Sequence, residues 1–154
     1  MKHLKIGDQA PLFKGKDGSD NEISLSDYKG KKLVIYFYPK DNTPGCTVQA
    51  CNLRDHYSAL SKNGISVIGV SMDSAKSHTK FSEKYELPFP LIADEDKAII
   101  EQFGVWGPKK FMGREYDGIH RTTFIIDESQ KIIGIIEKPK TKYHAEEILQ
   151  LINQ

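Results

Sequence analysis

Two cysteines, Cys46 and Cys51, are the residues whose type and spacing point most clearly to chemistry. A chain of 154 residues is long enough to bury a stable core without a disulfide. A bridge that closed so short a loop would also stabilise the fold little. We therefore interpret the two thiols as reactive groups rather than as a structural crosslink.

The residues before Cys46 predict that its thiol lies in the first turn of a helix. Pro44 suits the first helical position and Thr43 the N-cap, which makes Cys46 the third helical residue. Backbone N–H groups in a first turn have no partner within the helix, and the helix dipole is positive there. Both features favour a thiolate, the nucleophilic form of cysteine. An inert, buried cysteine is the alternative interpretation.

Cys51 follows five residues later on the same predicted helix. On an intact helix the two Cα atoms would be roughly 8–9 Å apart. A disulfide requires a Cα separation below ~7 Å. A bond between Cys46 and Cys51 therefore requires the first turns of the helix to unwind. The alternative is that Cys51 only packs on the helix face.

Strand-like and helix-like runs alternate along the chain and place Cys46 just after a strand. Leu33–Tyr38 is apolar throughout, as expected of a strand buried on both faces, and 44–63 has a helical pattern ending before Gly64. The apolar stripe of this helix is predicted to contain Val48, Leu53, Tyr57 and Leu60. Further strands are predicted at 65–71, 90–92, 120–126 and 131–136, and helices at 75–85, 97–103 and 145–152.

This order of elements predicts an α/β fold of thioredoxin-like type, with a central mixed β-sheet flanked by helices. Strand–helix–strand units imply a parallel core, and the hairpin at 120–136 adds antiparallel strands. Residues 12–25 are expected to form an N-terminal β-hairpin extension, and 107–118 a loop. A flavodoxin-like sheet is the alternative, but it would end in β-α rather than β-β-α.

Composition narrows the classes of partner. The 22 basic and 21 acidic side chains give a formal net charge of +1, which does not favour nucleic acid or an anionic membrane. Met1–Asp8 lacks the apolar segment of a secretory signal, and no run approaches the ~18 apolar residues of a membrane span. We expect a single domain over 1–154, located in the cytoplasm.

The segment Thr43-Pro44-Gly45-Cys46-Thr47-Val48-Gln49-Ala50-Cys51 resembles the signature of the bacterioferritin comigratory protein family, also called peroxiredoxin Q. Further motifs occur in the order expected of that family: Gly7-Asp8-Gln9-Ala10-Pro11, 39–46, Gly69-Val70-Ser71 and 116–121. One departure is Gln49, where many members have Glu. We expect this difference to alter a local charge without a catalytic role.

The resemblance implies a thiol-dependent peroxidase and assigns a role to five residues. Cys46 matches the peroxidatic cysteine and Cys51 the resolving cysteine that some members have. Thr43 matches the threonine that hydrogen-bonds the sulfur and the peroxide. Arg121 matches the arginine that steadies the thiolate and polarises the peroxide. Pro39 opens the motif and shields the site.

Peroxide would oxidise Cys46 to a sulfenic acid, which condenses with a second thiol to a disulfide. The resemblance implies recycling by thioredoxin or a glutaredoxin-like protein, and a monomer. Sulfur chemistry requires no cofactor, and the five histidines show no paired metal-ligand spacing. Two other functions remain open, namely a general dithiol–disulfide oxidoreductase and a binding or holdase module with the same fold.

Overall fold

The computed structural model describes residues 4–153. Residues 1–3, which begin the segment in which we expect no secretory signal, and Gln154 lie outside the described residues. The strands are β1 (Lys14–Lys16), β2 (Glu22–Ser24), β3 (Lys32–Phe37), β4 (Ile65–Ser71), β5 (Leu91–Ala93), β6 (Trp106–Phe111), β7 (Arg114–Ile119), β8 (Thr122–Ile126) and β9 (Ile132–Glu137). The α-helices are α1 (Pro44–Asp55), α2 (Tyr57–Lys62), α3 (Ala75–Tyr85), α4 (Ala98–Gln102) and α5 (His144–Ile152). Within residues 4–153, none of these helices is long and apolar enough to cross a membrane.

The central sheet has five strands in the order β5-β4-β3-β8-β9. β3 pairs in parallel with β4 and antiparallel with β8, and β5 and β9 extend the sheet on either side. The predicted mixed sheet, with its parallel core and antiparallel hairpin, is therefore confirmed. The predicted N-terminal hairpin is confirmed as well, because β1 pairs antiparallel with β2.

Successive side chains of β3 point to opposite faces of the central sheet, and each face carries its own hydrophobic core. Leu33, Ile35 and Phe37 pack on one face with α4 and the N-terminal segment. Val34 and Tyr36 pack on the other face, against α1, α3 and α5. Cys46 and Leu53 belong to this second core, as do Phe81 and Ile148. Burial of one side of α1 therefore fixes the position of the thiol relative to the sheet.

The predicted helix over 44–63 is interrupted near its middle. α1 ends at Asp55, the backbone of His56 departs from helical geometry at φ −104° and ψ 9°, and α2 continues from Tyr57. Gly64 ends this region with a φ of +72°, which suits glycine. Val48, predicted to lie in the apolar stripe, is instead 38% exposed.

The predicted loop over 107–118 is wrong, because β6 and β7 form a separate two-stranded hairpin there. The connecting turn has positive φ at Met112 and Gly113, as a type I′ turn requires. Most side chains of these strands are exposed on both faces, so the sequence lacks the apolar alternation that marks a half-buried strand. The hairpin leads directly into the segment that carries Arg121.

Candidate active site

The Cys46 thiol lies where the sequence places it, in the first turn of α1. Thr43 is the N-cap, with φ −87° and ψ 155°, and Pro44 begins the helix. Cys46 is therefore the third helical residue, and only 2% of it is exposed. Pro39 is half-buried and lies between the end of β3 and the loop that leads to the N-cap. Local sequence thus places the sulfur beside the unpaired N–H groups of a helix start.

The hydroxyl of Thr43 does not cap the helix. It donates instead a hydrogen bond of 2.9 Å to the carbonyl oxygen of Lys40. The first-turn N–H groups of Gly45 and Cys46 are therefore not engaged by the N-cap side chain. The hydroxyl oxygen of Thr43 keeps its lone pairs for a donor such as a peroxide O–H. The expected hydrogen bond between the Thr43 hydroxyl and the Cys46 sulfur stays a prediction.

Arg121, which is distant from Cys46 in the sequence, contacts the thiol in the fold. Its Nη2 donates to Cys46 Sγ at 3.2 Å, across a separation of 75 residues. A Cβ added to Gly45 would lie 3.4 Å from the same nitrogen, an ordinary van der Waals contact, so the guanidinium packs directly against the first turn of α1. The structure thus brings Cys46 and Arg121 together and places a fixed positive charge beside the sulfur.

Gln49 is a residue whose role the sequence did not reveal. It is fully buried, and its Oε1 accepts a hydrogen bond of 2.5 Å from Arg121 Nη1. Arg121 therefore bridges Gln49 and Cys46 with its two terminal nitrogens. Because an amide is neutral, the arginine charge is not offset by a carboxylate at this position. The available signal was the spacing, since residues three apart share a helix face.

Cys51 is half-buried and separate from Cys46. Both cysteines are free, and α1 is continuous over both. Directly after Cys51, the side chain of Asn52 ties α1 to the start of α5. Its Oδ1 accepts from the backbone N–H of Ala145 at 2.7 Å, and its Nδ2 donates to the carbonyl oxygen of Lys142 at 2.9 Å. The helix is thus anchored immediately beyond the second thiol.

A cavity of about 580 Å³ has Arg121 in its wall. Its apolar lining consists of Leu4, Phe103, Val105, Phe124, Ile135 and Pro139. Lys109, on β6, adds a second cation and donates to the carbonyl oxygen of Ile119 at 2.9 Å. Burial lowers the pKa of Lys109, the positive Arg121 lowers it further, and Cys46 acts in the opposite direction. The cavity therefore combines an apolar wall with two cations, of which Arg121 also contacts the Cys46 thiol.

A cluster of polar side chains lies beneath the loop before Thr43. One carboxylate oxygen each of Asp41 and Asp73 and one ring nitrogen of His78 lie within 4.8 Å of one another, a spacing compatible with a metal ion. Hydrogen bonds already engage these atoms, including one of 2.7 Å between His78 Nδ1 and Asp41 Oδ2. The sequence did not indicate this cluster, because its members come from separate elements.

Comparison with known proteins gives a consistent result. The model of the AhpC/TSA family matches residues 6–135. The chain is 51% identical over 152 residues to a putative peroxiredoxin Bcp of Haemophilus influenzae, covering 99% of this chain and 98% of that protein. It is 46% identical over 154 residues to peroxiredoxin Bcp of Escherichia coli K12, covering 100% and 99%.

A solved structure of the Xanthomonas campestris bacterioferritin comigratory protein is also similar. Its TM-score is 0.86 at 34% identity, covering 92% of this chain and 90% of that one. That protein is described for its alkyl peroxide reduction activity.

Proposed function

Because the chain belongs to the AhpC/TSA family and is a peroxiredoxin, we propose that Cys46 reduces hydrogen peroxide and organic hydroperoxides. One observation carries the proposal: the Arg121 guanidinium lies 3.2 Å from a thiol at a helix N-terminus. A dithiol oxidoreductase or a binding module would need neither this cation nor the uncapped first turn. Membership of the family confirms the resemblance predicted from the sequence.

In the proposed reaction, the Cys46 thiolate attacks one peroxide oxygen and forms an S–O bond. The O–O bond breaks, and its electron pair goes to the leaving oxygen. The resulting hydroxide or alkoxide takes up a proton to become water or alcohol. Sulfur is oxidised to a sulfenic acid while the peroxide is reduced. Arg121 and the first-turn N–H groups stabilise charge that moves from sulfur to oxygen. The Thr43 oxygen accepts the O–H of the bound peroxide.

The cavity beside Arg121 supports an organic substrate as well as hydrogen peroxide. Its apolar lining gives an alkyl group a place to be buried, and burial of apolar surface is favourable. Hydrogen peroxide has no such group and would react without using the cavity. The activity described for the Xanthomonas campestris relative is of the same kind.

We propose that Cys51 then resolves the sulfenic acid. Its thiol displaces the hydroxyl group from Cys46 as water and forms an intramolecular disulfide, as in an atypical 2-Cys enzyme. On the intact α1 the two Cα atoms are roughly 8–9 Å apart by helix geometry, so the turns around residues 46–51 must unwind first. The bonds of Asn52 to the start of α5 support an unwinding that ends at this residue.

The disulfide must be reduced by exchange with an external thiol. We propose thioredoxin or a glutaredoxin-like protein as that reductant, in the cytoplasm, with the peroxidase acting as a monomer. Both thiols of the chain take part in this cycle, which requires a compartment that keeps them reduced.

Peroxide consumption coupled to thioredoxin and its reductase tests the proposal. The parent protein should consume hydrogen peroxide with NADPH oxidation, whereas Cys46→Ser should be inactive. Cys51→Ser should react once with peroxide but fail to turn over with thioredoxin. Retention of most turnover in Cys46→Ser would contradict the assignment.

A further inference from the structure

The loop between Pro39 and Thr43 is held by the carboxylate of Asp41, which points inward and is buried. Its Oδ1 accepts from the Tyr38 hydroxyl at 2.5 Å, and its Oδ2 accepts from the Ser77 hydroxyl at 2.8 Å. His78 Nδ1 lies 2.7 Å from the same Oδ2. A carboxylate in an exposed loop is thus turned into the core and surrounded by donors.

The partners of His78 determine where its protons lie. Only 1% of this residue is exposed, and its Nε2 lies 2.9 Å from the carbonyl oxygen of Ile92. A carbonyl oxygen only accepts, so Nε2 carries a hydrogen. At Nδ1 the partner is a carboxylate that already accepts from two hydroxyl groups, so Nδ1 carries a hydrogen too. With Asp41 as a carboxylate, both ring nitrogens of His78 donate, and the two side chains form a buried ion pair.

We propose that the Asp41–His78 ion pair is a positioning device for peroxide attack. This inference rests on the proposed function and adds two residues that touch neither sulfur nor substrate. Asp41 lies two positions before Thr43, and the pair fixes its loop to α3. The charge of each partner is required by the other, because an unpaired charge in the core is costly.

Neighbouring contacts transmit this position to the site. The backbone N–H of Asp41 donates to Asp73 Oδ2 at 2.8 Å, which holds the same residue from a second side. Asn42 adopts a left-handed conformation with φ +60° and turns the chain toward the N-cap. The Thr43 hydroxyl then bonds back to Lys40 within the loop. Displacement of Asp41 would therefore move both Thr43 and the start of α1.

The protonation of His78 is tested directly by the imidazole ¹⁵N spectrum of the reduced parent protein labelled at histidine. The expected spectrum at neutral pH shows hydrogens on both ring nitrogens of His78, and Asp41→Asn should leave one. A neutral His78 ring in the parent protein would overturn the ion pair. This spectrum does not depend on peroxidase activity, so failure of the proposed function would appear separately, in the parent rate with peroxide.

The positioning role is tested by the rate at which peroxide consumes the Cys46 thiolate. Misplacement of reacting groups by about 1 Å costs up to ~10²-fold in rate, so we expect Asp41→Asn and His78→Gln to be roughly 10- to 100-fold slower. The double variant should be no slower than the worse single one, because the two residues act as a unit. Thr79→Ala is the matched control, since it removes a hydrogen bond from α3 to Gly18 and should react at the parent rate.

A folded Asp41→Asn variant that reacts at the parent rate would overturn the positioning role. Far-UV circular dichroism establishes that each variant is folded. If His78→Gln does not fold, Asp41→Asn and the parent spectrum still decide the question.

Discussion

Gln49 accepts a hydrogen bond from Arg121 on a fully buried helix face, so a neutral amide orients the guanidinium that contacts Cys46. The two nitrogens of one guanidinium thus connect the reactive sulfur to a second residue of the same helix. We therefore expect Gln49 to position Arg121, a role that its place in the sequence alone did not show.

Two substitutions of Gln49 should distinguish the loss of the hydrogen bond that orients Arg121 from the introduction of a negative charge beside it. Gln49→Leu removes the acceptor and leaves Arg121 Nη1 without its partner, and we expect the peroxide rate constant to fall by about 10²-fold. Gln49→Glu keeps an acceptor at the same place and should stay within about tenfold of the parent. Stopped-flow kinetics with hydrogen peroxide measures both. A Gln49→Leu variant as fast as Gln49→Glu would show that the hydrogen bond does not matter.

Removal of the Asn52 anchor should change how far oxidation unwinds α1. In Asn52→Ala the N–H of Ala145 loses its acceptor, which we expect to cost about 1–3 kcal/mol of stability. In the oxidised variant, hydrogen exchange should accelerate beyond residue 52 and at the start of α5. In the oxidised parent it should accelerate only over about residues 44–51.

Asn63→Ala, which loses a hydrogen bond at the end of α2, is the control for the Asn52 variant and should match the parent. Equal protection of residues 46–51 in both redox states of the parent, with the disulfide confirmed, would contradict the unwinding.

His144 should make stability depend on pH. It is fully buried at the start of α5, where Thr123 Oγ1 lies 2.8 Å from its Nε2. Burial lowers its pKa in the folded state, an effect partly opposed by Glu147. The unfolded chain therefore binds more protons as pH falls through the ordinary histidine pKa of about 6.5, and the free energy of unfolding should decrease.

Urea denaturation of the parent protein and His144→Gln between about pH 8 and pH 5 checks this linkage. The variant lacks the titrating group, so its stability should decline less than that of the parent over this range. A constant difference between the two proteins at every pH would refute the assignment to His144.

The apolar cavity should determine preference among hydroperoxides. Ile135 lies in its wall, and Ile135→Ser replaces an apolar contact for an alkyl group with a hydroxyl. We expect kcat/KM for a bulky organic hydroperoxide to fall about 5- to 20-fold relative to hydrogen peroxide, as loss of a few buried methylenes implies. Ile133 is on the same strand but packs on the opposite core, so Ile133→Ser should leave the ratio unchanged. An unchanged ratio in Ile135→Ser would exclude the cavity as the binding place of the alkyl group.

Local pattern was sufficient to predict a strand at Leu33–Tyr38, observed as β3 (Lys32–Phe37), and a helix that begins at Pro44. Apolar runs and a proline near the N-cap act over a few residues, so a single sequence reveals them. The contact of Arg121 with Cys46 came only from the family resemblance, since it joins residues 75 positions apart. The pairing of Asp41 with His78 was not predicted for the same reason. The hairpin of β6 and β7 was missed because its exposed strands carry no apolar alternation.

The central claim is that the Cys46 thiolate, steadied by Arg121, is the group that peroxide oxidises. It is tested most directly by rapid mixing of the reduced protein with equimolar hydrogen peroxide, followed by mass spectrometry of the quenched thiols. In Cys51→Ser, one oxygen atom should appear on Cys46 as a sulfenic acid. Arg121→Lys should slow its appearance by about 10²–10³-fold, because an ammonium cannot bridge both partners of the guanidinium.

Lys110→Ala removes an exposed charge from the neighbouring hairpin and should leave that rate unchanged. The account predicts oxidation of Cys46 that depends on Arg121 and occurs before any disulfide forms. Oxidation that begins at Cys51, or a rate that is the same in Arg121→Lys and the parent, would contradict it.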